Sequence, residues 1–316
     1  MAMRNSKRQW LAISIAALVM VLAGAGLLIL AAARNCDGVT LGLPGGGKLT
    51  PNAVYATVDG HELKLDIITP PESGKERPIV VFFHGGAWRS GDKSAGARYL
   101  LPLVNAGYIG VTANYRLSRE ADFPAQIYDC KAAVRWVRYH ARDFGGDPNR
   151  IAAIGSSAGG HLAALLGTSG GVFVLEGAVG ENTNVSSEVQ AVVNWFGPTD
   201  LTMLSDNLNA WHLEVLCELL GGDPTNQQEL TQIASPVTYI DANDPPVLII
   251  HGDADSTVPV EQSRAFNAAL LSAGVAVKYI EVPGGGHGRF HGTSPNQAEL
   301  IQEMIAFLDK CLGSAR

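Results

Sequence analysis

The chain has 316 residues, 47% of them hydrophobic and 17% charged, with 36 glycines and 16 prolines. That composition supports a large buried core and excludes intrinsic disorder and a collagen-like repeat. The formal net charge is −7 and no Lys/Arg cluster follows the first ten residues, so nucleic acid is not an expected partner.

Arg4, Lys7 and Arg8 precede an uncharged apolar run from Leu11 to Ala33. At 23 residues the run is long enough to cross a hydrocarbon core, which takes about 20. Two readings stay open. One is a cleaved signal peptide with Ala31-Ala32-Ala33 before the cut, the other an uncleaved signal anchor with its basic end in the cytoplasm. Both place the rest of the chain outside the cytoplasm, with membrane contact only through residues 11–33. Residues 1–36 are thus expected to be a targeting segment, the Gly/Pro-rich residues 37–52 a linker, and 53–313 one folded domain.

Past the linker, strand-like and helix-like segments alternate. Val54–Val58 and Glu62–Ile68 flank Asp59-Gly60, a hairpin signal. Ile79–Phe83 is a short, wholly apolar run, as a strand covered on both faces should be; Ile109–Ala113, Ile151–Ile154, Ala191–Phe196 and Val247–Ile250 are similar runs, and Val277–Val282 is a less pure case. Helical patterns lie between them, most clearly over Pro124–Phe144, Ala158–Leu166, Val260–Ala273 and Gln297–Leu312. This alternation predicts an α/β fold, a mostly parallel central sheet flanked by helices. Residues 200–245 break the rhythm and are expected to form a small helical cap insertion. The cysteines are Cys36, Cys130, Cys217 and Cys311, with no C-x-x-C pair to suggest zinc or thioredoxin-type chemistry. Cys130 falls in a helical pattern and is expected as a buried thiol, and export permits a bridge between two of the other three.

Gly155-Ser156-Ser157-Ala158-Gly159 is a G-x-S-x-G sequence that follows the apolar strand Ile151–Ile154 and opens a helix. A serine at a sharp strand-to-helix turn is held above the sheet at a helix N-terminus, and small flanking residues let the neighbouring chain pass close. The register selects Ser157 over Ser156. A serine hydroxyl near neutral pH needs a base, and a histidine base needs an acid to orient it. Chain order for this architecture is serine, acid, histidine. Asp255, in His251-Gly252-Asp253-Ala254-Asp255, is the candidate acid with Asp253 its rival. His287, within Gly284-Gly285-Gly286-His287-Gly288, is the candidate base with His291 its rival. His84-Gly85-Gly86-Ala87-Trp88 follows another buried strand, and Gly85 and Gly86, with the N–H of Ala158, are the candidate oxyanion donors. Trp88, Trp195 and Phe196 are candidates for lining a substrate pocket. His161 is expected to be a structural hydrogen-bonding residue, and His84 and His251 to hold turns in place. No ligand cluster accompanies the aspartates at 253 and 255, so no metal and no cofactor is expected.

At these residues the sequence resembles the α/β-hydrolase superfamily, and more narrowly serine esterases of the hormone-sensitive-lipase-like and feruloyl-esterase-like groups with an HGGxW motif. The resemblance covers nearly all of residues 53–312 and includes VVFFHGGAWRSGDK (80–93), RIAAIGSSAGGHLAALLG (150–167) and PPVLIIHGDADSTVPVEQS (245–263). It implies an α/β-hydrolase fold with Ser157, Asp255 and His287 as a catalytic triad, Gly85, Gly86 and Ala158 as oxyanion hole, and a small-molecule ester as substrate. The motif is shared with kynurenine formamidase-like enzymes, so amide hydrolysis stays open, as does a non-catalytic binding protein on the same scaffold. Many relatives are soluble, and the apolar N-terminus departs from them.

Overall fold

The computed structural model describes residues 41–43, 46–206 and 210–315. The apolar run 11–33 and Cys36 lie outside the described residues, and among those described no helix is long and apolar enough to cross a membrane. Among the described residues nine strands form one sheet: β1 (Leu41–Gly42), β2 (Lys48–Val58), β3 (His61–Thr69), β4 (Arg77–Phe83), β5 (Ile109–Ala113), β6 (Gly146–Ser156), β7 (Ala191–Trp195), β8 (Val247–Gly252) and β9 (Val277–Val282). Helices follow in chain order as α1 (Ala97–Asn105), α2 (Ala125–His140), α3 (Ala158–Thr168), α4 (Phe173–Glu176), α5 (Leu201–Asp206), α6 (Ala210–Leu220), α7 (Gln228–Ile233), α8 (Glu261–Ser272) and α9 (Gln297–Leu312). The sheet order is β1-β2-β3-β5-β4-β6-β7-β8-β9. From β5 through β9 neighbouring strands are parallel, and β1–β3 extend the β5 edge in antiparallel fashion.

The apolar runs become interior strands because each has a core on both sides. On β4, Ile79, Val81 and Phe83 face one core while Val80 and Phe82 face the other. The first core is closed by α2, α3 and α8, the second by α1 and α9. Helix α9 begins at a capping box, in which Asn296 accepts from the Ala298 and Glu299 N–H groups and Glu299 reaches back to the Asn296 N–H.

Three features differ from expectation. Part of the expected linker is sheet: β1 pairs with β2, and β2 starts at Lys48, with Leu49 fully buried. The Pro51-Asn52 pair reads as a loop but is a bulge, where Asn52 takes φ 57 and its N–H donates to Asp66 Oδ1 at 2.8 Å. Helix α1 has no counterpart among the expected elements, because it is only nine residues long and contains Pro102, which reads as a helix break. The helix expected to reach Phe144 ends at His140 and continues as one 3₁₀ turn to Phe144. The Asp59-Gly60 hairpin forms as expected, both residues having positive φ.

All the parallel strands end on one edge of the sheet, so the loops after β4, β6, β8 and β9 converge there. The insertion between β7 and β8 folds as α5–α7 and sits over that edge. Val215, Leu216 and Leu219 of α6 join the core beneath it.

Candidate active site

Ser157 stands between the end of β6 and the start of α3 with φ 55 and ψ −124. A non-glycine residue in such a conformation costs about 1–3 kcal/mol and persists only where its surroundings dictate it. Here the Ser157 N–H donates to the Trp195 carbonyl at 2.9 Å. The flanking glycines are steric necessities: a Cβ on Gly155 would lie 1.9 Å from the Gly159 oxygen, and one on Gly159 would lie 2.0 Å from the Phe83 oxygen. Ala87, Trp88 and Phe196, all bordering the same site, also have positive φ.

His287 and Asp255, which are 130 and 98 positions beyond Ser157, come back to it on the loops after β9 and β8. His287 Nε2 lies 2.9 Å from Ser157 Oγ, and His287 Nδ1 lies 2.7 Å from Asp255 Oδ2. The other carboxylate oxygen of Asp255 accepts the N–H groups of Thr257 at 2.8 Å and Val258 at 2.9 Å. His251 stands behind: its Nδ1 pairs with Ser263 Oγ at 2.7 Å, and its Nε2 is 2.9 Å from the Val258 carbonyl and 3.3 Å from Asp255 Oδ2. Burial pushes the Asp255 carboxyl up, but the imidazoles of His251 and His287 and the Val258 N–H outweigh it and hold the group well below the usual carboxylate range. An ionised Asp255 fixes the proton of His287 on Nδ1 and leaves the Nε2 lone pair toward the serine hydroxyl. The rivals lie elsewhere. Asp253 accepts the Gly284 N–H at 2.6 Å as a loop tie, His291 is exposed, and Ser156 is buried in β6.

The candidate oxyanion residues border the same serine. Gly85 passes so close that a Cβ there would lie 2.8 Å from the Ser156 oxygen. Gly86 has φ +120 and a Cβ would lie 2.1 Å from the Ser90 oxygen, so only glycine fits this turn. Gly85 and Gly86 line an open cleft of about 640 Å³ together with Ser157, Phe196 and His287. Ala158 opens α3, where its N–H has no carbonyl in a preceding turn to bind. A second, mostly apolar pocket of about 20 Å³ lies beside Ser157, lined by Trp88, Ala158, Leu204, Val215 and Leu216 among others.

Of the three aromatic candidates, Trp88 lines the small pocket and Phe196 the cleft, its ring edge set against His287 at 4.8 Å between centroids. Trp195 is a correction. It has no exposed surface and sits in the core between Tyr99 and Phe290, at 5.2 and 6.2 Å, so it lines neither pocket. Side chains alternate across a strand, and Trp195 falls on the α1/α9 side of β7. Residues the sequence reading missed are Arg89, Arg98, Arg119, Trp211 and Thr257, which border the cleft from loops and helix starts with no motif to mark them.

His161 is fully buried, as its structural reading requires. Its Nδ1 accepts the Trp88 indole N–H at 3.1 Å and its Nε2–H donates to the Ala234 carbonyl at 2.7 Å. A second proton would face the indole N–H, donor against donor, and burial pushes the imidazole down from 6.5 to about 4. The folded state resists a proton that the unfolded chain accepts. Stability from this residue is therefore intact above pH 6.5 and lost as pH falls to about 4. We expect the melting temperature to drop through that window, and the drop to be shallower in His161→Gln. Melting curves at half-unit pH steps check this, and identical slopes in the two proteins would refute it.

Cys130 is buried, and Cys217 and Cys311 are free thiols; a bridge involving Cys36 falls outside the described residues. Among the described residues no group of three or more His, Cys, Asp or Glu side chains is placed to hold a metal ion.

A mostly parallel sheet, a serine on a strained turn after its β6 strand, and an acid and histidine arriving from later strand ends define the class: an α/β-hydrolase of the serine-esterase group. Residues 65–270 match the BD-FAE family model, and the chain belongs to that family. Esterase LipQ of Mycobacterium tuberculosis is 36% identical over 252 residues, which are 78% of this chain and 59% of LipQ. The chain thus spans well under two thirds of that relative's length, and just over half of esterase LipC, 35% identical, from the same organism. Among solved structures, a truncated carbohydrate esterase from gut microbiota superposes with a TM-score of 0.76 at 34% identity, covering 85% of this chain and 96% of that one. The propionate-bound Thermogutta terrifontis esterase Est2 gives 0.71 at 32%, covering 86% and 97%.

Proposed function

We propose that this chain is a serine carboxylic ester hydrolase that works through an acyl-enzyme on small acyl or aromatic esters. The observation that carries the reading is the continuous hydrogen-bonded line from Ser157 Oγ through His287 to Asp255, at 2.9 and 2.7 Å. Ser157 Oγ attacks the ester carbonyl carbon while His287 Nε2 takes its proton, and Asp255 stabilises the imidazolium. The oxyanion forms against the N–H groups of Gly85, Gly86 and Ala158. His287 then returns the proton to the departing alkoxide, the C–O bond breaks, and the acyl group stays on Ser157. Water, deprotonated by His287, attacks the acyl-enzyme and releases the acid. The names of the relatives, esterases throughout the matches given above, support the same chemistry. Export through residues 11–33 is part of the proposal, and the distribution of the full chain between membrane and soluble fractions tests it.

Microscopic roles divide the two pockets. The leaving alcohol must lie beside His287 to receive its proton. The open cleft contains His287 and the small pocket does not, so the cleft takes the alcohol and the small pocket the acyl chain. A cavity needs roughly 10–15 Å³ to hold one water, so about 20 Å³ suits little more than the methyl of an acetyl group. Solved structures of the Thermogutta esterase hold propionate or butyrate, short acids of the same kind. A panel of 4-nitrophenyl esters with acyl chains from acetyl to octanoyl tests the proposal. We expect kcat/KM to be highest for acetyl or propionyl. Leu216 is fully buried at the pocket wall, and Leu216→Ala is expected to move the optimum to longer chains at a stability cost of about 2–5 kcal/mol. A wild-type optimum at octanoyl would refute the division, and no turnover of any ester would refute the function.

A further inference from the structure

Resting on the ester-hydrolase reading, we propose that the alcohol portion of the substrate carries an anionic oxygen group, a carboxylate or a phosphate, which Arg98 receives. Among the described residues, those lining the cleft include Arg89, Arg98 and Arg119 and no aspartate or glutamate. Such a lining runs against the chain's net charge of −7, and clefts walled by one sign of charge concentrate ligands of the other.

The three arginines are not equivalent. Arg89 is paired with Glu214 at 2.9 Å and Glu218 at 3.3 Å, and Glu218 also meets Arg119 at 3.6 Å. These contacts tie α6 to the loop after β4 and offset much of the charge of both arginines. Arg98, on the first turn of α1, has no carboxylate partner among the described residues. Its guanidinium lies over the Tyr99 ring, 4.7 Å from the centroid, and one of its N–H groups donates to the Tyr99 hydroxyl at 2.9 Å. Tyr99 is itself buried, stacked on Phe82 at 4.9 Å and tilted against Trp195 at 5.2 Å. Arg98 is therefore ordered before any ligand arrives, exposed on its other side, and on the half of the site that the leaving alcohol must occupy. A guanidinium fork matches the two oxygens of a carboxylate or phosphate, and its charge-assisted hydrogen bonds are the strong kind.

Matched acetate esters test this, because they share the acyl group and differ only in the alcohol: 4-acetoxybenzoate, 4-acetoxyphenyl phosphate and the neutral 4-acetoxybenzamide. The readout is the ratio of kcat/KM for each anionic ester to that of the neutral one, compared between wild type and Arg98→Gln so that leaving-group reactivity cancels. We expect the wild-type ratio for at least one anion to exceed that of Arg98→Gln by about tenfold, with the anion showing the larger effect naming the group preferred. In Arg98→Glu the ratios should fall further, and raising the salt should erode the wild-type preference and leave that of Arg98→Gln nearly flat. Ratios equal in wild type and both variants, with all three esters turned over, would overturn the inference and leave the hydrolase reading intact. Failure to cleave any of the three would sink the hydrolase reading instead.

Discussion

Ser157→Ala is expected to lower kcat/KM for 4-nitrophenyl acetate by about 10⁴–10⁶-fold while leaving the melting temperature within a few degrees of wild type. The loss is expected to be large because the proposed nucleophile has no substitute nearby: Ser156 is buried in β6, and among the described residues Ser157 Oγ is the side-chain atom that meets His287 Nε2, at 2.9 Å. Residual activity would reflect carbonyl polarisation by the N–H groups of Gly85, Gly86 and Ala158 acting on water. The fold should tolerate the change, since alanine keeps the Cβ and the backbone N–H that donates to Trp195. A fluorophosphonate probe should label wild type at Ser157 and fail to label the variant. Wild-type turnover by Ser157→Ala would end the assignment.

Asp255→Asn is expected to cost about 10⁴-fold in kcat without disturbing the fold, and the reason lies in which oxygen does what. One carboxylate oxygen accepts the Thr257 and Val258 N–H groups, so the amide oxygen of an asparagine would keep that position. Its NH₂ group would then take the place of Oδ2 against His287 Nδ1, 2.7 Å away in the wild type. A donor there forces the imidazole proton onto Nε2, and a protonated Nε2 cannot accept from Ser157. The variant should remain folded by circular dichroism and by its melting temperature, yet turn over esters at the residual rate. Because wild-type Asp255 is held well below the usual carboxylate range, its own protonation should not set the acid limb of the rate profile above about pH 4. Activity of Asp255→Asn within tenfold of wild type would refute this account of the tautomer.

Much of the fold was legible along the chain because the signals are local. A strand buried on both faces is apolar at almost every position, as Ile79–Phe83 of β4, Ile109–Ala113 of β5 apart from Thr112, and Ile151–Ile154 of β6 are. The elbow was legible for the same reason: Gly155 and Gly159 meet each other's turn and the end of β4 at distances no side chain survives, so the spacing itself records the geometry. Helix α1 and the start of β2 were not legible, since a proline in a short helix and a Pro-Asn bulge in a strand imitate the breaks that end such elements.

The candidate site divides along the same line. Ser157, Asp255, His287, Gly85 and Gly86 could be named from the sequence because each sits in a turn whose backbone demands small or special residues, and those demands leave a pattern in a handful of consecutive positions. Trp195 was misjudged because the side a strand residue faces depends on which helices cover the sheet. The support of Asp255 by His251, the separation of a narrow apolar pocket from a wide basic cleft, and the place of Arg98 on that cleft, with no carboxylate partner among the described residues, are decided by tertiary packing. Each depends on segments tens of residues apart coming within a few ångströms, and nothing in the local chemistry of α1, α6 or the loop after β8 records who its neighbours will be.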